Sequence, residues 1–191
     1  MALIDDAWNN LGFFIKRESW NQDYTKYAMI YFESHVLSPL SFAIRIDLQV
    51  GNLPACFFEL RMMLESMVKC FWADLEYRDL DHFMDKLLSL ENRNNKEQIS
   101  TAKLLKRLGD DYCSLWGKLS KDWLHSEGFV KRIIDYTLEK ADIPAYALAS
   151  PMQYREGDID SINELGSAVS LFRTLLKNTF SEWQKQLNMS V

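Results

Sequence analysis

At 191 residues, with 48% apolar and 26% charged side chains and few glycines or prolines, the chain has the size and profile of one globular domain, which excludes a disordered or collagen-like polymer. The formal net charge of -5 argues against a general nucleic-acid coat protein, because neutralising phosphates leaves a basic balance. Asp5 and Asp6 stand where a secretory signal would carry cations, and nowhere does an apolar run approach 18 residues, so a cytoplasmic protein without membrane contact is expected.

Apolar residues recur at helical spacing between the breakers, and no alternating strand pattern persists. The expected fold is all-α, an antiparallel up-and-down helical bundle with additional short helices. It forms one domain over residues 1–191, with the core bundle over about 24–187. A first helix is expected over 3–18. A second, from Tyr24 to Val50, carries Ser34, Ser38, Ser41 and Arg45 in a narrow polar stripe and should kink or break at Pro39. Gly51 and Asn52 give a turn, and Pro54 suits the first turn of the helix LPACFFELRMMLESMVKCFWADLEY.

That helix is apolar around most of its circumference, which marks it as the bundle centre. Arg61, Glu65, Lys69 and Glu76 share one side of it, with opposite charges at i, i+4. This is either a solvated stripe or a polar wall, Arg61 and Glu65 foremost, facing a ligand or partner. Met62, Met63 and Met67 read as core filler. Cys56, Cys70 and Cys113 form no CxxC pair and read as reduced core thiols.

A shorter amphipathic helix is expected over 79–91, followed by the polar loop ENRNNKEQ. Asn95 and Gln98 have capping-box spacing for a helix that stops at Gly109, and Asp110 would cap the next. EGFVKRIIDYTLEKAD reads as a further helix ended by Pro144. Residues 141–158, with two prolines and no period, read as a long loop of the kind used for lids, binding segments or dimer arms. The last helix, about Asp160 to Leu187, places Ile162, Leu165, Val169, Phe172, Leu176, Thr179 and Trp183 on a 3.5-residue seam that suits bundle closure or a second subunit.

Chemistry concentrates in KLSKDWLHSEGF, residues 118–129, inside a basic band. From Arg93 to Arg132 nine cations, among them Lys103, Lys106, Arg107, Lys118 and Lys121, face five anions, leaving +4 there and -9 elsewhere. Tyr112, Leu115, Trp116, Leu119 and Trp123 share one side of the helix and should face the core. A helix continued to residue 126 would set Lys118, Lys121, Asp122 and His125 on the other. Asp122 would orient the imidazole, the lysines would hold a phosphate, and His125 would move the 2'-hydroxyl proton in metal-independent RNA cleavage. The same residues also suit a solvated helix face ending in a histidine that complements the helix dipole.

The run LRMMLESMVKCFWADL, with Arg61 and Glu65, followed by a polar connection and WGKLSKDWLHSEG, resembles the HEPN-type helical-bundle superfamily, in particular its abortive-infection-like branch. An Arg-x-x-x-Glu on a central helix and a later LS...H segment recur there. The resemblance covers about residues 25–185. It implies a dimer of antiparallel bundles whose paired histidines, here His125, act across the cleft in metal-independent RNA cleavage or nucleotide binding. Active members carry an arginine four to six residues before the histidine. Residues 118–124 hold none, and a lysine substitute such as Lys118 lacks a two-pronged guanidinium contact.

Two functions are therefore expected in order. The first is a helical-bundle interaction protein, homodimeric and non-catalytic, with a protein partner. The second is a metal-independent endoribonuclease, or an RNA- or nucleotide-binding protein, with His125 as acid/base, Asp122 as its orienter, and Lys118, Lys121, Lys103, Lys106 and Arg107 on phosphate. A third reading takes Asp79 with His82, and Asp122 with His125, as carboxylate and histidine pairs of a metal bundle, with Glu33 and Glu65 as bridging glutamates. No Gly-rich phosphate loop, GxSxG, HExxH or CxxC is present, and neither a metal nor a cofactor is expected.

Overall fold

In the computed structural model, the described residues are 2–16, 19–124, 154 and 156–188. His125, the helix expected over EGFVKRIIDYTLEKAD and nearly all of the expected loop 141–158 lie outside them. The elements are α1 (Ala2–Ile15), α2 (Trp20–Lys26), α3 (Ala28–Phe32), α4 (Ser38–Gln49), α5 (Leu53–Glu76), α6 (Phe83–Glu97), α7 (Thr101–Leu108), α8 (Asp110–Leu119) and α9 (Ile159–Gln186). The result is an all-α helical bundle with additional short helices, and no strand occurs among the described residues.

The α5 helix is the centre, as its all-round apolarity requires. Phe57, Leu60, Met63, Leu64, Met67, Val68 and Phe71 are buried along it, each contributing about 1.5–3 kcal/mol of transfer free energy. Around it pack α3, α4, α6, α7, α8 and α9. The seam on α9 turns inward: Leu165, Phe172, Leu176, Thr179 and Trp183 are buried, and Ile162 and Val169 pack against the core. It closes the bundle within one chain.

Several boundaries differ from the sequence expectation. The helix expected over 24–50 is interrupted at Tyr27, where the backbone is extended. The cause is remote in sequence: the Asp74 carboxylate on α5 accepts from the amides of Ala28 at 2.9 Å and Met29 at 3.0 Å, acting as an N-cap supplied from another helix. The irregularity expected at Pro39 takes the form of a π-helical turn over Glu33–Leu37 just ahead of it. Such a widened turn accommodates the missing amide and the clash of the proline ring with the carbonyl of His35.

The helix expected over 79–91 runs instead over 83–97. The Nδ1 of His82 accepts the amide of Met84 at 3.2 Å and caps its start. The polar run ENRNN stays helical, with Arg93 tied to Glu76 and to Asn94. Gln98, at φ 53°, ends it. Ser100, rather than Asn95, caps α7, accepting the amide of Lys103 at 3.3 Å. The junction to α8 is Gly109, with φ 144° and ψ 168°, a combination that essentially only glycine adopts. Asp110 is accordingly the first residue of α8, paired with Lys106, and not its cap.

Candidate functional site

The described part of KLSKDWLHSEGF rides on the end of α8 and the π-helical turn Ser120–Leu124 that extends it. Tyr112, Leu115, Leu119 and Trp123 are buried and Trp116 packs against the core, as the spacing predicts. Trp123 stacks on Phe57 of α5, with centroids 3.7 Å apart and planes at 14°. The Tyr112 hydroxyl meets Thr179 on α9 at 2.9 Å. Burial raises its pKa above the usual tyrosine value, with the Thr179 bond opposing. This helix is thus clamped between α5 and α9 by its aromatic side.

On its polar side Lys118 is engaged. Lys118 lies 3.6 Å from Glu164 of α9, and Glu164 also accepts from the Trp123 indole at 3.4 Å. Lys121 is exposed. Arg61 and Glu65 join α5 to α8: the Arg61 guanidinium bonds Glu65 at 2.8 Å, the Trp116 indole donates to the same Glu65 oxygen at 2.6 Å, and Arg61 sits 5.3 Å from the Trp116 ring centroid. One carboxylate thereby satisfies two donors on the half-buried seam between helices.

Four further cations of the basic band are engaged within the described bundle. Arg107 lies over the Trp72 ring at 3.7 Å and donates to Glu76 at 2.6 Å, while Arg93 takes the other Glu76 oxygen. Lys106 pairs with Asp110, and Lys103 donates to the carbonyl of Gln98 at 3.2 Å. The net +4 of the sequence is real, yet Arg107, Lys106 and Lys103 each meet an acceptor within the bundle. An open groove along α9, walled by Asn163, Gly166, Ser167, Ser170 and Thr174, carries no titratable side chain among its described walls.

The metal-bundle reading finds no convergence. Among the described residues no group of three His, Cys, Asp or Glu side chains comes together. Glu65 is engaged as above, Glu33 binds Asn10, and His82 turns its Nδ1 into its own helix. His82 and His35 instead flank a ladder of rings. His82 stacks on Phe83 at 5.0 Å, Phe83 on Tyr31 at 4.5 Å, and Tyr31 on His35 at 4.7 Å.

The most tightly built polar cluster is one the sequence reading did not single out. Asp74 and Lys86 are both 0% exposed and 3.1 Å apart. Asp74 also accepts from the Trp183 indole at 3.0 Å, besides the two amides of α3, and Lys86 lies 4.9 Å from the Tyr27 ring centroid. Burial pushes the Asp74 carboxyl up, while Lys86 and the two amides pull it back. Its partners here are all donors, which matches the ionised form. The signal was available: Asp74 falls on the apolar side of α5, in register with Met67 and Phe71, and Lys86 stands between Phe83 and Leu90. A lone charge in an apolar stripe calls for a buried partner.

Two further carboxyls are buried without an ion pair to a described lysine or arginine. Glu33 is 0% exposed, accepts from Asn10 at 3.0 Å and leaves Oε2 without a donor. Burial raises its pKa to about 8, opposed by the Asn10 bond and helped by the charge of Asp6. Glu59 is raised to about 7 by burial and then by Asp47. Cys56 is pushed up to about 12, and Cys70 higher still, chiefly by burial, so both are thiols rather than nucleophilic thiolates. No helix among the described residues is long and apolar enough to cross a membrane. No protein family, no curated protein and no solved structure matches this chain.

Proposed function

We propose that the protein is a non-catalytic interaction bundle of HEPN-like shape that works as a homodimer or with a protein partner. The observation that carries this reading is the Glu164 carboxylate 3.6 Å from Lys118. Lys118 and Lys121 are the lysines ahead of His125 that could stand in for the arginine of active HEPN members, and a fixed negative charge beside Lys118 disfavours the phosphate that cleavage would have to bring there. The ion pair itself is half-exposed and worth under about 1 kcal/mol. The unfavourable element is therefore the carboxylate, not the occupancy of the lysine.

The surface supports the same reading. Large apolar side chains stand exposed in i, i+4 pairs: Phe42 and Ile46 on α4, Phe58 and Met62 on α5, Met84 and Leu88 on α6. Isolated exposed apolar residues are ordinary, but adjacent pairs on one helix face mark contact surface. Sedimentation equilibrium tests the proposal. A dimer is expected, weakened by glutamate at one of these pairs (Phe42/Ile46, Phe58/Met62 or Met84/Leu88) and unchanged by the others. A monomer that captures no protein partner in any variant series contradicts it.

A further inference from the structure

The first helix is fastened to the bundle by a contact that suits only one protonation state. Glu33 opens the π-helical turn between α3 and α4 and is 0% exposed. Its Oε1 accepts from Asn10 Nδ2 of α1 at 3.0 Å, while its Oε2 is sealed from solvent with no donor. An ionised carboxylate there has one neutral hydrogen bond to set against its lost hydration, whereas a carboxylic acid fits. No described lysine or arginine forms an ion pair with Glu33. From α1, Asp6 adds like charge and itself holds Arg173 of α9. On the turn itself His35 is exposed, stacked on Tyr31 and bonded to Ser34. The α4 and α5 helices also pack here, but Arg45 is exposed, Asp47 is bonded by Asn52, and Asp74 is taken by Lys86.

We propose that α1 is a pH-released cap, locked onto the bundle in mild acid by the protonated Glu33 carboxyl and lifted locally as that carboxyl ionises toward neutral pH. The helix is otherwise attached by the burial of Leu3, Ala7 and Leu11 and by the Asp6–Arg173 pair, and opening one helix costs less than unfolding the whole chain. Lifting α1 lets water reach Glu33, whose pKa then returns from about 8 to its ordinary 4.5. The raised value belongs to the docked form. Docking is therefore strongest below about pH 4.5, weakens about tenfold per pH unit, and levels off above about pH 8, where both forms are ionised. The lifted state exposes Leu3, Ala7 and Leu11 together with the surface they cover.

Hydrogen exchange of the full chain, read by mass spectrometry and corrected for the intrinsic exchange rate at each pH, tests the device independently of the interaction role. Between pH 5 and 7 the protection of α1 should fall about hundredfold in the wild type. At each pH it should stay at least about tenfold below that of α5, the mark of a local opening. In Glu33→Gln, which keeps His35, the protection of α1 should not change with pH. Glu33→Met carries the same comparison if the glutamine variant does not fold. Wild-type α1 protection that is flat from pH 5 to 7 overturns the proposal. So does an equal fall in a folded Glu33 variant, which would assign the effect to another group, or α1 protection equal to that of α5 throughout, which would mean that the helix leaves only when the whole chain unfolds.

Discussion

Replacing Glu33 by glutamine tests whether a wholly buried carboxyl lies protonated beneath α1. Its folded pKa is about 8 against an ordinary value of 4.5, a difference of about 3.5 units and so roughly 5 kcal/mol at 1.36 kcal/mol per unit. The higher value belongs to the folded state. The carboxyl's favourable contribution is therefore complete below about pH 4.5 and disappears progressively as the pH rises through about 8. Roughly 3 kcal/mol of it is already lost at pH 7. Glutamine does not titrate. The stability of Glu33→Gln relative to wild type should rise by about 3 kcal/mol from pH 4.5 to 7 and level off above about pH 8.

Urea unfolding of both proteins at several pH values measures this directly. Any constant penalty of the variant, such as an amide N–H that finds no acceptor, is the same at every pH and drops out of the comparison. The titration of Glu59, raised to about 7, is common to both proteins and drops out likewise. A stability difference that stays flat between pH 4.5 and 8.5 would show that Glu33 is not the buried neutral acid described here.

Lys86→Met should destabilise the protein by about 3–5 kcal/mol, because it leaves Asp74 buried without its counter-ion. At about 2–4 °C per kcal/mol for a chain of this size, the melting temperature should fall by roughly 10 °C. Lys118→Met removes a half-exposed pair and should change stability by no more than about 1 kcal/mol, so similar losses in the two variants would contradict the ranking. Gly109→Ala forces a side chain onto φ 144° and should cost about 1–3 kcal/mol in urea unfolding. The nearest side chain to a Cβ there is Tyr112 at 3.8 Å, so the loss would come from backbone strain and not from a clash.

Periodicity made the bundle legible, because burial in helices writes a three- and four-residue repeat into the chain. It placed α5 at the centre, turned Trp123 inward and predicted the buried residues of α9. Boundaries were less legible wherever a distant group decides them. The break at Tyr27 depends on Asp74, nearly 50 residues away in sequence, and the helical state of ENRNN depends on Arg93 reaching Glu76. The shift of the cap from Asn95 to Ser100 follows from the same extension of α6.

The candidate site was legible as composition and not as availability. Counting cations in residues 93–132 finds Arg107, Lys106 and Lys118 but says nothing of Glu76, Asp110 and Glu164, two of which come from elsewhere in the chain. Arg61 and Glu65 read as a solvated stripe or a ligand wall because a helical wheel omits the neighbour that covers it. Trp116 supplies that neighbour and turns the pair into a joint between helices.

The central proposal, that this helical bundle acts through interaction and not by cleaving RNA, is tested most directly by incubating labelled RNA with the purified protein in EDTA. Wild type and His125→Ala are compared side by side. The account predicts that both leave the RNA intact, at the rate of a protein-free control. Cleavage that persists in EDTA with wild type and disappears with His125→Ala would contradict it.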